Sequence, residues 1–135
     1  MKPTTFYFIF LCLLIGFSCG NESLPIDVHK TLLDNKWMLV SIKVNGNDVT
    51  NDFLDSCDLD NFNVYAANNI LEFHQGVNIC DSLDPDVLFS KWKLLGNDKF
   101  IEQDSVIYFL THIDENNLIL GFSDFEENIK YRAIQ

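Results

Sequence analysis

The segment KWMLVSIKV, residues 36–44, sets the structural class of the chain. It is rich in residues that favour strands, and its side chains alternate between two faces, with Met38 and Val40 on one and Trp37 and Leu39 on the other. Asn45-Gly46 follows directly, and this dipeptide is a strong signal for a tight turn between strands. The segment therefore predicts a strand that ends in a turn.

The rest of the chain continues in the same manner. Residues 50–61 are acidic and irregular, which predicts a loop with a short helical turn at 52–55. Beyond them, β-type segments alternate with Asn, Gly and Asp residues and predict seven further strands, at 62–65, 70–74, 87–95, 99–103, 105–114, 118–123 and 129–134. Eight sequential strands with short connections predict an all-β fold, an eight-stranded antiparallel up-and-down barrel whose closure removes exposed edges.

The side-chain pattern gives most of these strands an orientation. In 87–95 and 129–134, apolar residues such as Trp92 and Tyr131 alternate with charged residues such as Lys91, so we expect apolar inside and charged outside. Segment 105–114 is apolar on both faces and has no clear orientation; a bulge or a cover from the amino-terminal segment would explain it. We expect 129–134 to pair with 36–44 and close the barrel.

Residues 6–20, FYFIFLCLLIGFSCG, form an apolar run preceded by Lys2. The run is shorter than the roughly 20 residues that span a bilayer, and it predicts a secretory signal peptide over residues 1–18. Its end resembles a bacterial lipoprotein box, in which the signal is cut before a cysteine that carries diacylglycerol, here Cys19. The alternative is ordinary cleavage nearby and a plain secreted form.

Removal of the signal leaves one domain and an acidic protein. Residues 1–18 hold one of the nine basic residues and none of the twenty acidic ones, so the remaining 117 residues carry a net charge of −12. Such a surface repels phosphate backbones and anionic headgroups, which excludes nucleic acid as a partner and leaves membrane association to the lipid. We expect a lipid-anchored tether at 19–32 and the barrel domain at 33–135.

Two cysteines remain in the folded part, Cys57 and Cys80. Outside the cytoplasm, a lone pair most simply forms one disulfide. A redox or metal pair is the alternative, but the spacing is not CxxC and no histidine lies close to either cysteine in a zinc-like pattern.

Several short segments together resemble the small lipocalin-like lipoproteins of Bacteroidetes-type bacteria. They span roughly residues 33–133 and comprise LLDNKWMLVSI, DSCDLDN, ILEF, the second cysteine before WKL, HIDENNLIL and KYRA. The resemblance implies an eight-stranded up-and-down barrel, a lipid anchor at Cys19 and a disulfide between Cys57 and Cys80. It implies little about activity.

A more distant similarity to lipocalins proper concerns Trp37 and Arg132. Lipocalins open the first strand with Gly-x-Trp and carry an Arg on the last strand that packs over this Trp. Here Asn35 replaces the Gly, and the lipocalin Thr-Asp-Tyr element is not found. The resemblance implies a barrel-closing cation–π pair between Trp37 and Arg132, with Trp37 as an ordinary core residue as the alternative.

The sequence offers little for catalysis or for a bound ion. His29, His74 and His112 lie far apart, and there is no Gly-x-Ser-x-Gly elbow, so we predict no catalytic residue and no cofactor. Acidic clusters flank both cysteines and could gather oxygen ligands for calcium, but neither has calcium-loop spacing. Solvated loops are the alternative, and we predict no metal site.

Two functions remain open. The first is a membrane-anchored envelope protein, at the outer membrane, whose barrel binds a small apolar ligand. The predicted ligand-binding residues are Trp37, Phe73, Trp92, Leu120, Phe122 and Tyr131. The second is a structural or interaction module of the cell envelope with an interior filled by side chains. The sequence names no protein partner, and an enzyme is the least favoured class.

Overall fold

The computed structural model describes residues 26–122 and 127–135. The predicted signal peptide, Cys19 and the first half of the predicted tether lie outside the described residues, as does the end of the segment predicted at 118–123. Over the ranges described, no helix has the length and apolarity needed to cross a bilayer.

The described part of the chain consists mainly of strands, as predicted. The two helices are α1 (Val28–Asp34) and α2 (Thr50–Phe53). The strands are β1 (Lys36–Val44), β2 (Asn47–Asp48), β3 (Phe62–Tyr65), β4 (Ile70–His74), β5 (Val87–Leu95), β6 (Phe100–Gln103), β7 (Val106–Ile113), β8 (Asn117–Gly121) and β9 (Glu127–Ile134). Strands β1, β3, β4 and β5 have the predicted bounds, and only the two-residue β2 lacks a predicted counterpart. The all-β prediction is confirmed.

All strands belong to one antiparallel sheet that closes on itself. Neighbouring strands pair in the order β2-β1-β3-β4-β5-β6-β7-β8-β9, and β1 also pairs with β9. This last pairing runs from Lys36 opposite Ile134 to Val44 opposite Glu127, so the predicted pairing of 129–134 with 36–44 is confirmed. Because β1 and β9 satisfy each other's backbone groups, neither leaves a free edge along this seam.

The strand directions give the ring two different ends. We call the first the helix end, because α1 precedes β1 there; it also holds the short turns at residues 66–69, 96–99 and 114–116. We call the second the loop end, where the long connections at residues 45–61 and 75–86 meet. Both cysteines of the folded part lie in these two long connections.

Helix α1 packs into the helix end of the ring. Asp27 caps it by accepting the backbone N–H of Lys30 at 2.9 Å. Val28 and Leu32 lie one turn apart on the same face, and Leu32 is fully buried. The indole N–H of Trp37 donates to the carbonyl of Leu32 at 3.2 Å. Residues 28–32, predicted to belong to the tether, therefore pack on the domain.

Large side chains fill the inside of the ring. The fully buried ones come from the helix and from most of the strands: Leu32, Trp37, Tyr65, Leu71, Ile101, Leu118 and Leu120. Trp92 meets Tyr65 edge to face at 5.1 Å, and Gln103 Nε2 donates to the Tyr65 hydroxyl at 2.7 Å. Burial raises the pKa of Tyr65 and of Tyr131, so both hydroxyls stay neutral at ordinary pH.

The predicted contact between Trp37 and Arg132 is wrong. The register sets Trp37 opposite Ala133 and Arg132 opposite Met38. Because successive residues of a strand point to opposite faces, Trp37 lies inside the ring and Arg132 lies outside, in solvent. Trp37 is thus a core residue, which was the alternative.

Strand β7, which the sequence left without an orientation, contains a register shift between Leu110 and His112, so the suggested bulge is confirmed. Tyr108 and Leu110 pack on the core, whereas Phe109 pairs with Phe100 and is partly exposed. The apolar residues on the outer face of this strand are therefore a surface feature.

Candidate functional site

A disulfide joins the two long connections at the loop end. Cys57 and Cys80 are bonded, with their α-carbons 5.3 Å apart, so the predicted bridge is confirmed. It ties the acidic loop before β3 to the loop between β4 and β5. Apart from the short helix α2, the described residues of these loops hold no helix or strand, so the bridge restricts where the loops can lie.

Asp60 and Asn61 hold the same two loops together by hydrogen bonds. The Asp60 carboxylate accepts the backbone N–H groups of Val77 at 2.8 Å and of Asn78 at 3.1 Å, and the Asn78 side-chain amide at 3.1 Å. The Asn61 side-chain oxygen accepts the backbone N–H of Gly76 at 2.8 Å. We call these contacts the Asp60 clamp. It makes a second link between the loops, close to the disulfide.

Gly76 is the residue that lets the Asp60 clamp close. A Cβ atom at this position would overlap the Asp60 carboxylate, which three hydrogen bonds hold in place. We expect Gly76→Ala to lower the free energy of unfolding by about 1 to 3 kcal/mol, because either the carboxylate or the loop backbone must shift. Urea denaturation followed by circular dichroism measures this change.

A double-mutant cycle provides the control for Gly76→Ala. Asp60→Ala removes the carboxylate contacts of the clamp and the overlap, so adding Gly76→Ala to it is expected to cost less than about 0.5 kcal/mol further. Equal costs of Gly76→Ala with and without the Asp60 side chain would show that the overlap is not the cause.

A cleft of about 290 Å³ lies against the disulfide at the loop end. Its lining combines strand residues with residues of both loops: Cys57, Asp58, Asn61, Asn63, Phe73, His74, Gln75, Asn78, Cys80, Asp84, Pro85 and Leu88. Phe73 and Leu88 pair across β4 and β5 and, by the alternation of these strands, share the face of the buried Leu71 and Trp92. They form an apolar floor, while amide groups and carboxylates stand around it.

The polar groups around this floor are two carboxylates, several side-chain amides and the imidazole of His74. Asp58 accepts the Asn61 side-chain amide at 3.1 Å and the backbone N–H of Asp55 at 3.2 Å. The Gln75 side-chain amide donates to the carbonyl of Pro85 at 3.2 Å, and its oxygen is buried without a partner. Among residues 26–122 and 127–135, no lysine or arginine belongs to the lining. The cleft therefore has an apolar floor and a polar wall that includes two carboxylates.

The predicted ligand-binding residues are divided between the core and the surface of the ring. Trp37, Trp92 and Leu120 are buried in the packed interior, and Tyr131 packs against it. Phe122 contacts Tyr108 with ring centres 4.6 Å apart. Of the six, Phe73 alone lines the cleft. Leu88 was not among the predicted ligand-binding residues. The alternation of β5 predicts that it faces inward, but it does not show that this position lies at the loop end, outside the packed interior.

The three histidines occupy separate parts of the molecule. His29 is exposed on α1, His74 contacts Glu72 at 2.8 Å and His112 contacts Asp114 at 2.8 Å. Hydrogen bonds from His112 and from the backbone of Asn116 hold the pKa of Asp114 well below its usual range. These groups belong to local turns and strands that lie apart from one another.

Acidic residues near the cysteines accept hydrogen bonds within and between the two loops. Cys57, Asp58 and Cys80 lie close together, but both sulfur atoms are used in the disulfide. The Asp60 carboxylate is engaged by backbone and side-chain N–H groups of the neighbouring loop. The carboxylates of Asp58 and Asp60 thus act as acceptors that fix the loops.

Comparison with known proteins identifies the fold. No family model matches the sequence, and no curated protein matches it. Among solved structures, the chain is similar to the crystal structure of a DUF4847 family protein from Bacteroides vulgatus ATCC 8482, with a TM-score of 0.55 and 12% sequence identity. The match covers 78% of this chain and 96% of the other. At this level of identity the likeness concerns the fold.

Proposed function

We propose that this protein is a non-enzymatic, lipocalin-like barrel of the bacterial cell envelope that binds a small apolar ligand. The binding site in this proposal is the cleft at the loop end, and not the middle of the ring. The observation that carries it is the contrast between the two places: the interior is filled by side chains, whereas an open, apolar-floored cleft lies beside the disulfide.

Two features support the barrel and the anchor in this proposal. The antiparallel strands return to β1 through its pairing with β9, which is the connectivity of a small up-and-down barrel. Helix α1 enters at the end opposite the long loops, so a tether from a lipid at Cys19 would leave the loop end facing away from the membrane. A cleft in that position is open to ligands in solution.

The size and chemistry of the cleft support a small ligand. Its volume of about 290 Å³ is close to the lower limit, roughly 300 Å³, of pockets that hold small molecules. Phe73 and Leu88 supply apolar contact, and two covalently joined loops hold the walls in place. A site that is already held in shape loses less conformational entropy on binding.

Binding of 1-naphthalenemethanol, a small aromatic alcohol, tests the proposal. We expect saturable binding to the disulfide-bonded protein, with Leu88→Ala weakening it about tenfold because the floor loses buried apolar area. Perturbation of backbone amide signals in NMR titrations measures both the affinity and the place of binding.

Phe89→Ala is the matched control for Leu88→Ala. Phe89 is the next residue of β5, lies on the outer face and is 68% exposed. Its truncation is expected to leave the affinity unchanged. Loss of binding in both variants, or in neither, would contradict the assignment to the cleft.

A filled barrel that acts as an interaction module is the second candidate. Val77 and Leu83 are 92% and 90% exposed in the loop between β4 and β5, and neither lines the cleft. Exposed apolar residues grouped at one end of a protein are typical of contacts with another protein. In this case the loop end contacts a partner through its outer surface, and truncation of Leu88 has no effect on the affinity for that partner.

A further inference from the structure

Among the described residues that line the cleft, the acidic side chains Asp58 and Asp84 outnumber the one basic side chain, His74. We propose that the cleft selects small organic cations, ammonium-bearing molecules with an apolar body, over neutral and anionic molecules of the same shape. This inference rests on the proposed function, because it names the class of ligand for that site.

In the part of the chain that the structure describes, two carboxylates, those of Asp58 and Asp84, line the cleft, and no lysine or arginine lines it. Asp58 already accepts hydrogen bonds from Asp55 and Asn61, which hold its carboxylate in place at the wall. Asp84 is exposed, and among the described residues no hydrogen bond engages its carboxylate. The cleft is therefore lined by one carboxylate that hydrogen bonds hold in place, Asp58, and by one that is free to contact a ligand, Asp84.

Other acidic residues near the cleft strengthen its negative electrostatic potential. Asp81 and Asp86 lie in the same loop as Asp84, and the part of the chain after residue 18 carries a net charge of −12. Negative charges gathered around a concave site raise the local concentration of cations and lower that of anions. An anion would also be desolvated against the carboxylates with no lysine or arginine among the described lining residues to pair with it, which opposes its binding.

The floor of the cleft determines what the rest of the ligand must be. Phe73 and Leu88 gain from contact with apolar atoms and offer nothing to a small hydrated ion. An inorganic cation would leave this floor unused, whereas an organic cation places its apolar body on the floor and its ammonium group beside the carboxylates. An apolar floor beside carboxylates therefore favours organic cations over inorganic ones.

Three probes that share one ring separate the charge preference from binding itself. They are 1-naphthylmethylammonium, 1-naphthalenemethanol and 1-naphthoate. With the disulfide-bonded protein at low ionic strength, we expect the ammonium probe to bind about fivefold more tightly than the alcohol, and the carboxylate more weakly than either, as a Coulomb interaction across partly screened solvent predicts. Raising the salt concentration to about 0.5 M should reduce the preference, because the screening length falls below the size of the site.

Asp84→Asn tests which group supplies the preference. This variant removes one charge with little change in shape and is expected to reduce the preference for the ammonium probe about threefold, with no effect on the alcohol. Asp98→Asn is the matched control: Asp98 lies in the turn at the helix end, with a positive φ of 63° that asparagine tolerates. It removes the same charge far from the cleft and should leave the preference intact.

Each outcome decides between the two proposals. Equal binding of the three probes, or tighter binding of naphthoate, overturns the cation preference while the cleft remains a binding site. A loss of preference in Asp98→Asn as large as in Asp84→Asn assigns the effect to the net charge of the domain and overturns the cleft as its source. Absence of binding by all three probes overturns the proposed function together with the inference.

Discussion

Trp37→Ala is expected to lower the free energy of unfolding by about 4 kcal/mol. Trp37 is fully buried, and its indole donates to the carbonyl of Leu32, so the change leaves a large cavity and an unpaired acceptor between β1 and α1. A domain of this size has about 5 to 15 kcal/mol of total stability, so the variant should be close to unfolding at ambient temperature. Urea denaturation followed by far-ultraviolet circular dichroism measures the loss.

Trp37→Phe separates the hydrogen bond from the packing. It keeps an aromatic ring in the interior but removes the donor to Leu32, and it is expected to cost clearly less than Trp37→Ala. Phe89→Ala, on the exposed outer face, is expected to change stability by less than about 0.5 kcal/mol. A loss below about 1 kcal/mol for Trp37→Ala would mean that the residue does not link the helix to the ring.

Removal of the disulfide has the next largest expected effect. The double variant Cys57→Ser with Cys80→Ser should lose about 3 kcal/mol of unfolding free energy. The bridge joins two residues 23 positions apart in the sequence and so restricts the unfolded chain. The same variant should bind 1-naphthalenemethanol several-fold more weakly, since the bridge forms part of the cleft wall. Denaturation and titration of one preparation give both quantities.

Asp60→Ala is the comparison that distinguishes the bridge from the Asp60 clamp. It removes the hydrogen bonds to Val77 and Asn78 but leaves the covalent link, so the loops stay joined. We expect a smaller loss of stability than in the cysteine variant. Unchanged stability and affinity after removal of both cysteines would show that the loops hold their positions without the bridge.

The strands were predictable because the information for them is local. Alternating apolar residues, with Asn45-Gly46 after β1, Asn68-Asn69 before β4 and Gly96-Asn97 after β5, gave β1, β3, β4 and β5 their observed bounds. The closure of the sheet was predictable too, because two strongly β-forming segments stand at the ends of the series and each would otherwise have a free edge.

Features that depend on register or on burial were not predictable in this way. The side of the ring on which Arg132 lies depends on which residue of β9 faces Trp37, and a change of one residue reverses it. Helix α1 is short and has only a weak signal of its own, since its stability comes from burying Leu32 in the ring.

The amino-acid sequence by itself determined the strands, the turns between them, the acidity of the surface and the presence of two cysteines in the folded part. The tertiary structure alone decided that the interior is filled and that an open cleft lies at the loop end. The reason is physical: strand formation follows from neighbouring residues, whereas empty space depends on how side chains from distant strands and loops pack against one another. Phe73 and Trp92 are both large, inward-facing aromatic residues, yet only the first borders the cleft.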